Sequence, residues 1–177
     1  MKLCTERLVL REYIHSDFTE VHEYASDPET VLYMLWGPNN KQDTLNFLNR
    51  AIKYQTDNPR KVSELAVELK ESGCLIGGCS IYITNEANKE GELGYCFSKK
   101  YWNNGYATEA AQAIMKFGFH TLNLHRIYAT CDPSNIGSAR VMEKAGMRRE
   151  GRLREHLLQR GRWRDSYLYS ILEYEFS

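Results

Sequence analysis

Apolar and polar positions change period several times along the chain, and each change marks an element. Leu8 and Leu10 alternate with polar or β-branched neighbours, as in a half-buried strand. Ser16 or Asp17 then offers a cap for a helix carrying Phe18, Val21, Tyr24 and Ala25. Asp27-Pro28 predicts a second, short helix, with proline at the first helical position. Leu45, Leu48 and Ile52 form a stripe on a longer helix over Asp43–Tyr54, which Asn58-Pro59 ends. Three strands follow over Glu64–Lys70, Cys74–Thr84 and Glu90–Phe97, joined by turn-rich segments short enough for antiparallel pairing. A helix from Ala107 to Leu122, a strand over His125–Cys131, a helix from Ile136 and two strands, Met147–Gln159 and Arg164–Phe176, complete the order. With no linker or repeat, residues 1–177 read as one domain, a mixed α/β sheet with antiparallel hairpins.

The junction Tyr101-Trp102-Asn103-Asn104-Gly105-Tyr106-Ala107-Thr108-Glu109 carries the clearest chemistry. Gly105 reaches backbone angles closed to other residues and adds no side chain against a ligand. The first turn of the following helix then offers free N–H donors and the positive end of the helix dipole, which together suit an anion such as phosphate. A glycine that only relieves strain would give the same local pattern.

Later segments separate these readings. His125-Arg126-Ile127-Tyr128-Ala129-Thr130-Cys131 is followed by Asp132-Pro133-Ser134-Asn135 and by Ile136 through Met147. Together with Thr5–Arg11, the glycine loop, the Asn135-x-x-Ser138 helix start, the Lys144-Ala-Gly-Met turn and Arg162-Trp163-Arg164-Asp165, this succession resembles the GNAT superfamily of acyl-CoA-dependent N-acetyltransferases. Within it, the chain is similar to enzymes that acetylate ribosomal-protein N-termini. The resemblance spans nearly the whole chain and rests on the order and spacing of the motifs.

The resemblance implies a mostly antiparallel central sheet with flanking helices, splayed between its fourth and fifth strands, and acetyl-CoA as cosubstrate. It implies that the pantetheine arm lies along Cys96, Phe97 and Ser98, and that the pyrophosphate sits on Asn103, Asn104, Gly105, Tyr106, Ala107 and Thr108. Trp102 departs from the family, which often has Gln or Arg there. Asn135 reads as a helix cap, to which the resemblance adds a contact to the pantetheine amides. Ser138 would protonate the leaving thiolate where many relatives use Tyr, although a helical Ser also serves as a small packing residue. Glu92 is the candidate general base, because an amine arrives largely as ammonium and must lose a proton. Tyr33 and Trp36 fall where the family flanks its acceptor, and an aromatic pair is also ordinary core. Glu109 reads as tuning the helix start.

Composition narrows the setting. Lys plus Arg and Asp plus Glu both total 23, so no global charge favours nucleic acid or membrane. The arginines of Arg148–Arg154 and Arg160–Arg164 read mostly as a solvated edge. Five scattered cysteines without a Cys-x-x-Cys pair predict reduced thiols and no zinc site. The start of the sequence has no apolar targeting segment and no later run is long enough to span a bilayer, so cytoplasmic residence is expected; a homodimer is left open as a partner. The expected activity is acetylation of a primary amine by direct attack, first of a protein or peptide N-terminus. A small-molecule amine is the alternative acceptor, and a non-catalytic acyl-CoA-binding module the alternative class.

Overall fold

The computed structural model describes residues 1–176. Eight strands form one sheet in the order β1-β2-β3-β4-β5-β6-β8-β7, and four helices cover it. The strands are β1 (Lys2–Cys4), β2 (Leu8–Glu12), β3 (Val62–Leu69), β4 (Leu75–Asn85), β5 (Glu90–Phe97), β6 (Arg126–Cys131), β7 (Arg148–Gln159) and β8 (Arg162–Leu172). The helices are α1 (Phe18–Ala25), α2 (Lys41–Tyr54), α3 (Tyr106–His120) and α4 (Ile136–Lys144). Every pair of neighbouring strands is antiparallel except β5–β6, whose parallel register requires the crossover through α3.

Alternation along the strands sorts two cores. Leu65, Val67, Cys79, Ile81 and Leu93 meet Ala110, Ala111, Ile114 and Met115 of α3 on one face. Tyr13, Ala66 and the partly buried Cys96 meet Val21, Tyr24, Leu48 and Ala51 of α1 and α2 on the other. The expected stripe on α3 is present, while that on α2 is rotated. Thr44, Leu48 and Ala51 are buried and Leu45 is exposed, because the small Thr44 and Ala51 let the helix approach the sheet.

Three other expectations are corrected. Residues 27–36 form successive turns rather than a helix, since the Asp27 carboxylate bonds the Thr30 amide at 3.2 Å and hydroxyl at 2.7 Å and holds the chain in a local turn. Asp17 does not cap α1; its carboxylate takes both terminal nitrogens of Arg11 at 2.8 Å and the Ile14 amide at 2.9 Å. The last strand stops at Leu172 and a 3-10 turn covers Glu173–Glu175. The short β1, pairing with β2, was not visible as a pattern in three residues.

The expected splay lies between β5 and β6, the fourth and fifth strands if β1 is left out. Only Glu90, Gly91 and Glu92 pair with Arg126, Ile127 and Tyr128, and beyond them the strands part. Ser98 donates its N–H to the Ile76 carbonyl at 2.9 Å, which fixes the phase of the β4–β5 ladder. By antiparallel alternation, the backbone groups of Leu93, Tyr95 and Phe97 therefore face away from β4; the Leu93 amide completes the pairing with Tyr128, and the groups beyond it face the opening. Gly77 sets the seam at the end of β5. A Cβ there would lie 2.4 Å from the Cys96 carbonyl oxygen and 2.8 Å from the Phe97 Cα, both backbone atoms that cannot rotate away. Gly77→Ala is expected to cost about 3 kcal/mol, the upper end of overpacking penalties, read as a lower denaturant midpoint at unchanged m-value.

Candidate active site

The opening between β5 and β6 widens into a cleft of roughly 1140 Å³. One wall is the C-terminal half of β5 with the turn and first residues of α3; the opposite wall is β6 with the start of α4. The β7–β8 hairpin and the 27–36 segment close one end, where Gln159 Nε2 donates to the Met34 carbonyl at 2.7 Å.

The turn before α3 has the geometry an anion needs. Asn103 and Gly105 both have positive φ, 63° and 81°, and no side chain caps the helix. The side chain of Asn104 is spent inside the turn, its Nδ2 donating to the Trp102 carbonyl at 2.9 Å. A Cβ on Gly105 would meet only Arg7 Nη2, at 3.4 Å, so the glycine is demanded by its φ and by open space. Backbone hydrogen bonding in α3 begins with the Glu109 amide on the Gly105 carbonyl, so the amides of the first turn remain for a ligand. Glu109 anchors this turn from behind: Arg7 Nε reaches its carboxylate at 2.7 Å, the Arg7 amide at 2.8 Å and the Thr5 hydroxyl at 2.6 Å. Burial opposes the charged form, yet those bonds hold its pKa below the usual carboxylate range. Arg7 also donates to the Asn104 carbonyl at 3.0 Å and lies 4.6 Å from the Tyr106 ring centroid.

Along β5, Cys96 and Phe97 line the cleft, whereas Ser98 lies past the strand and turns its amide to Ile76. The Trp102 indole donates to the Phe97 carbonyl at 2.7 Å, so the residue that departs from the family fills one of the opening's backbone acceptors. Burial pushes the Cys96 thiol up to about 12, which makes it a poor nucleophile at neutral pH.

Across the cleft, the Asn135 side chain accepts the Ser138 amide at 3.0 Å and so caps α4. Ser138 meets a residue that spacing did not single out. The Tyr95 hydroxyl donates to the Ser138 carbonyl at 3.0 Å and lies 2.9 Å from Ser138 Oγ. Burial raises the Tyr95 phenol well above its usual range, so it stays protonated. No local pattern links residues 95 and 138; only the fold across the splay does.

Glu92 is the last paired residue before the strands diverge, and it lines the cleft beneath the opening. Burial raises its carboxyl group above the usual range, partly countered by a 3.4 Å bond from the Tyr128 hydroxyl and by His156 nearby. Tyr33 lines the cleft with Met34 and Leu35, while Trp36 stands 39% exposed and outside the lining. The structure thus gathers Glu92, Cys96, Phe97, Gly105, Asn135, Ser138 and Tyr33 around one cavity, and leaves Ser98, Asn104 and Trp36 at its margin.

A sheet that opens beside an uncapped, glycine-led helix start, with a carboxylate at the base of the opening, is the arrangement of an acyl-CoA-dependent acetyltransferase. Residues 7–148 match the acetyltransferase (GNAT) domain family, and the chain belongs to it. An uncharacterized N-acetyltransferase of Bacillus subtilis is 42% identical over 177 residues, covering all of both chains. A GNAT-family acetyltransferase of Bacillus anthracis superposes with TM-score 0.87 at 40% identity, over 98% of this chain and 99% of that one. Spermidine N-acetyltransferase of Vibrio cholerae, solved with CoA and spermine, shares the fold with TM-score 0.82 at 21% identity, over 97% and 99%. The protein is an N-acetyltransferase, and enzymes of this family use acetyl-CoA.

Gly105→Val should weaken acetyl-CoA binding at least tenfold, by forcing a β-branched side chain into a left-handed turn at the anion site. Calorimetric titration of the folded variant measures it, and unchanged affinity would exclude the turn from cofactor binding.

Proposed function

We propose that the enzyme acetylates an α-amino group at the end of a protein or peptide, with Glu92 as base and Ser138 as acid. The charge of the cleft carries the acceptor reading. Three carboxylates line it, and two are matched within the chain: Glu90 by Arg126 at 2.6 Å and Asp132 by Arg164 at 3.4 Å. Glu92 is the one cleft-lining carboxylate left without an ion-pair partner among the described residues. Arg140 and Lys144 add further positive charge to the lining. One free carboxylate suits a single ammonium, whereas a polyamine with several positive charges would find no second free carboxylate in the lining. An α-amino group, with pKa near 8, also loses its proton more readily than a lysine-like amine near 10.

Acetyl-CoA supplies the thioester carbonyl that the amine attacks. The first-turn amides of α3 from Tyr106 to Thr108, with Gly105, would hold its pyrophosphate, and the backbone of β5 from Leu93 to Phe97 would hold the pantetheine arm as an added strand. Amide N–H groups facing the opening would stabilise negative charge as it develops on the carbonyl oxygen. Glu92 takes a proton from the ammonium, and the Ser138 hydroxyl, fixed by Tyr95, gives one to the departing sulfur. Tyr33, Met34 and Leu35 cover the apolar part of the acceptor and exclude water from the amine.

Turnover of acetyl-CoA with a panel of peptides and with spermidine tests the acceptor. Peptides with free N-termini should exceed spermidine in kcat/KM at least tenfold, and blocking the α-amino group should abolish transfer. A preference for spermidine would overturn this reading.

Glu92→Gln should lower kcat by about a hundredfold, the lower range for general-base loss, with acetyl-CoA affinity retained. In the parent, activity should fall on the acid side at a pH above that of an ordinary carboxylate, because burial raises the Glu92 carboxyl group and protonation removes the base. The deficit of the variant should shrink as pH rises and free amine accumulates, whereas Ser138→Ala should keep the parent's pH response. Steady-state pH profiles of both variants decide the division of roles.

A further inference from the structure

Acetylation of an ammonium ion does not balance at Glu92 and Ser138 alone. The nitrogen loses two protons as R–NH3⁺ becomes an amide; one replaces the proton that the Ser138 hydroxyl gives to the departing sulfur, and the other is left over. One proton per turnover must therefore reach water. If it leaves nitrogen on the Glu92 carboxylate, that carboxyl group has to be emptied before the next acceptor binds, yet it sits beneath the opening and is shifted toward its protonated form by burial.

One group at the mouth of the cleft is placed to empty it. His156 lines the same cavity and is itself exposed to solvent, and a positive charge on it favours the Glu92 carboxylate. It arrives there through a local distortion of β7. The pairing of β7 with β8 slips between Leu153 and Leu157, and Glu155 within the slip has φ 48°, outside the range a regular strand allows. Asp165 pins the distortion, its carboxylate taking the Glu155 amide at 2.8 Å and Arg152 Nε at 2.5 Å. The Ser166 hydroxyl, on a fully buried residue, holds His156 Nδ1 at 3.1 Å. With that nitrogen engaged, Nε2 is the ring atom left to exchange protons. A bulge beside a site re-aims a side chain, and here it delivers an imidazole.

The neighbouring groups offer no substitute. Tyr128 on β6 donates to Glu92 and is itself raised by burial; Arg164 on β8 is occupied with Asp132; Arg126 is occupied with Glu90; Tyr33 carries a phenol. Imidazole is the side chain whose ordinary pKa allows it both to accept and to release a proton near neutrality.

We propose that His156 is the proton exit of this site: its neutral imidazole accepts, through water in the cleft, the proton that Glu92 took from the ammonium, and releases it to bulk water. Glu92 returns to carboxylate, His156 to neutral imidazole, and one proton enters solvent for each amide formed. The proposal rests on Glu92 as the amine-side base and is independent of which amine is the acceptor.

The test uses the full chain and the amine that the parent acetylates fastest. His156→Ala should lower kcat at least tenfold with acetyl-CoA affinity unchanged, and added imidazole should restore part of the loss while leaving the parent unaffected. His156→Gln, which can still hydrogen-bond Ser166 but carries no proton between groups, should be as slow as His156→Ala. The double variant Glu92→Gln/His156→Ala should be no slower than Glu92→Gln, since both act on one proton. Full activity in His156→Gln, or a loss that imidazole does not relieve and that adds to the loss in Glu92→Gln, would overturn the proposal. Turnover of Glu92→Gln equal to the parent would remove the Glu92 base and the relay with it. A slow Glu92→Gln beside a fully active His156→Ala would remove the relay alone.

Discussion

Unpaired backbone between β5 and β6 is the constraint on which the rest of the site depends. After three paired residues, the last closed by the Leu93 amide on the Tyr128 carbonyl, the strands separate, and the Leu93 carbonyl and the amides and carbonyls of Tyr95 and Phe97 lose the neighbour that a continuous sheet would give them. Such groups must be satisfied by water, side chains or a ligand. The protein satisfies one of them itself, with the Trp102 indole on the Phe97 carbonyl. The remainder suit an extended chain with amides of its own, the role proposed above for pantetheine. The seam has a fixed length because Gly77 allows β4 and β5 to approach closely up to Phe97, while the parallel register at Glu90–Glu92 holds the base of the opening shut.

The two chemical ends of the cleft are held by different means. At the phosphate end, dipoles dominate: an uncapped helix start, two left-handed residues and no carboxylate free of a partner, since Glu109 is saturated by Thr5 and Arg7. At the acceptor end, burial and a single unmatched carboxylate set the charge that can enter. Tyr95 and Ser138 join the halves across the opening, so the Ser138 hydroxyl, the proposed acid, is oriented by the strand opposite its own helix. Transfer thus draws on both sides of the splay at once.

Much of this was legible before the structure. The α3 stripe, the Gly105 turn, the Asn135 cap and most of the succession of elements along the chain each follow from spacing within about fifteen residues, where periodicity is informative. Contacts between distant segments were not legible. Tyr95 meets Ser138 43 residues away, and the cleft's ion pairs join β5 to β6 and the residue after β6 to β8. The β7 distortion was hidden for another reason: Arg152 through Leu158 reads as an ordinary mixed strand, and its slip depends on an Asp165 carboxylate from the next strand. The segment at 27–36 misled because Asp27-Pro28 starts a turn as readily as a helix, and side-chain bonding to Thr30 decided between them. Trp36 shares that segment, and a turn carries it outward where a helix would have set a different face.

The anchor of Arg7 on residues 104 and 109 joins points 97 and 102 positions apart in the chain. Closing so long a loop costs entropy before any contact returns it. The phosphate turn therefore takes its final shape only when the first segment to be synthesised docks against a helix made much later. By linkage, whatever binds at Gly105 also tightens the hold on β1 and β2. Amide protons of Leu8–Glu12 would exchange more slowly in the loaded enzyme, although those residues lie on a strand that does not line the cleft.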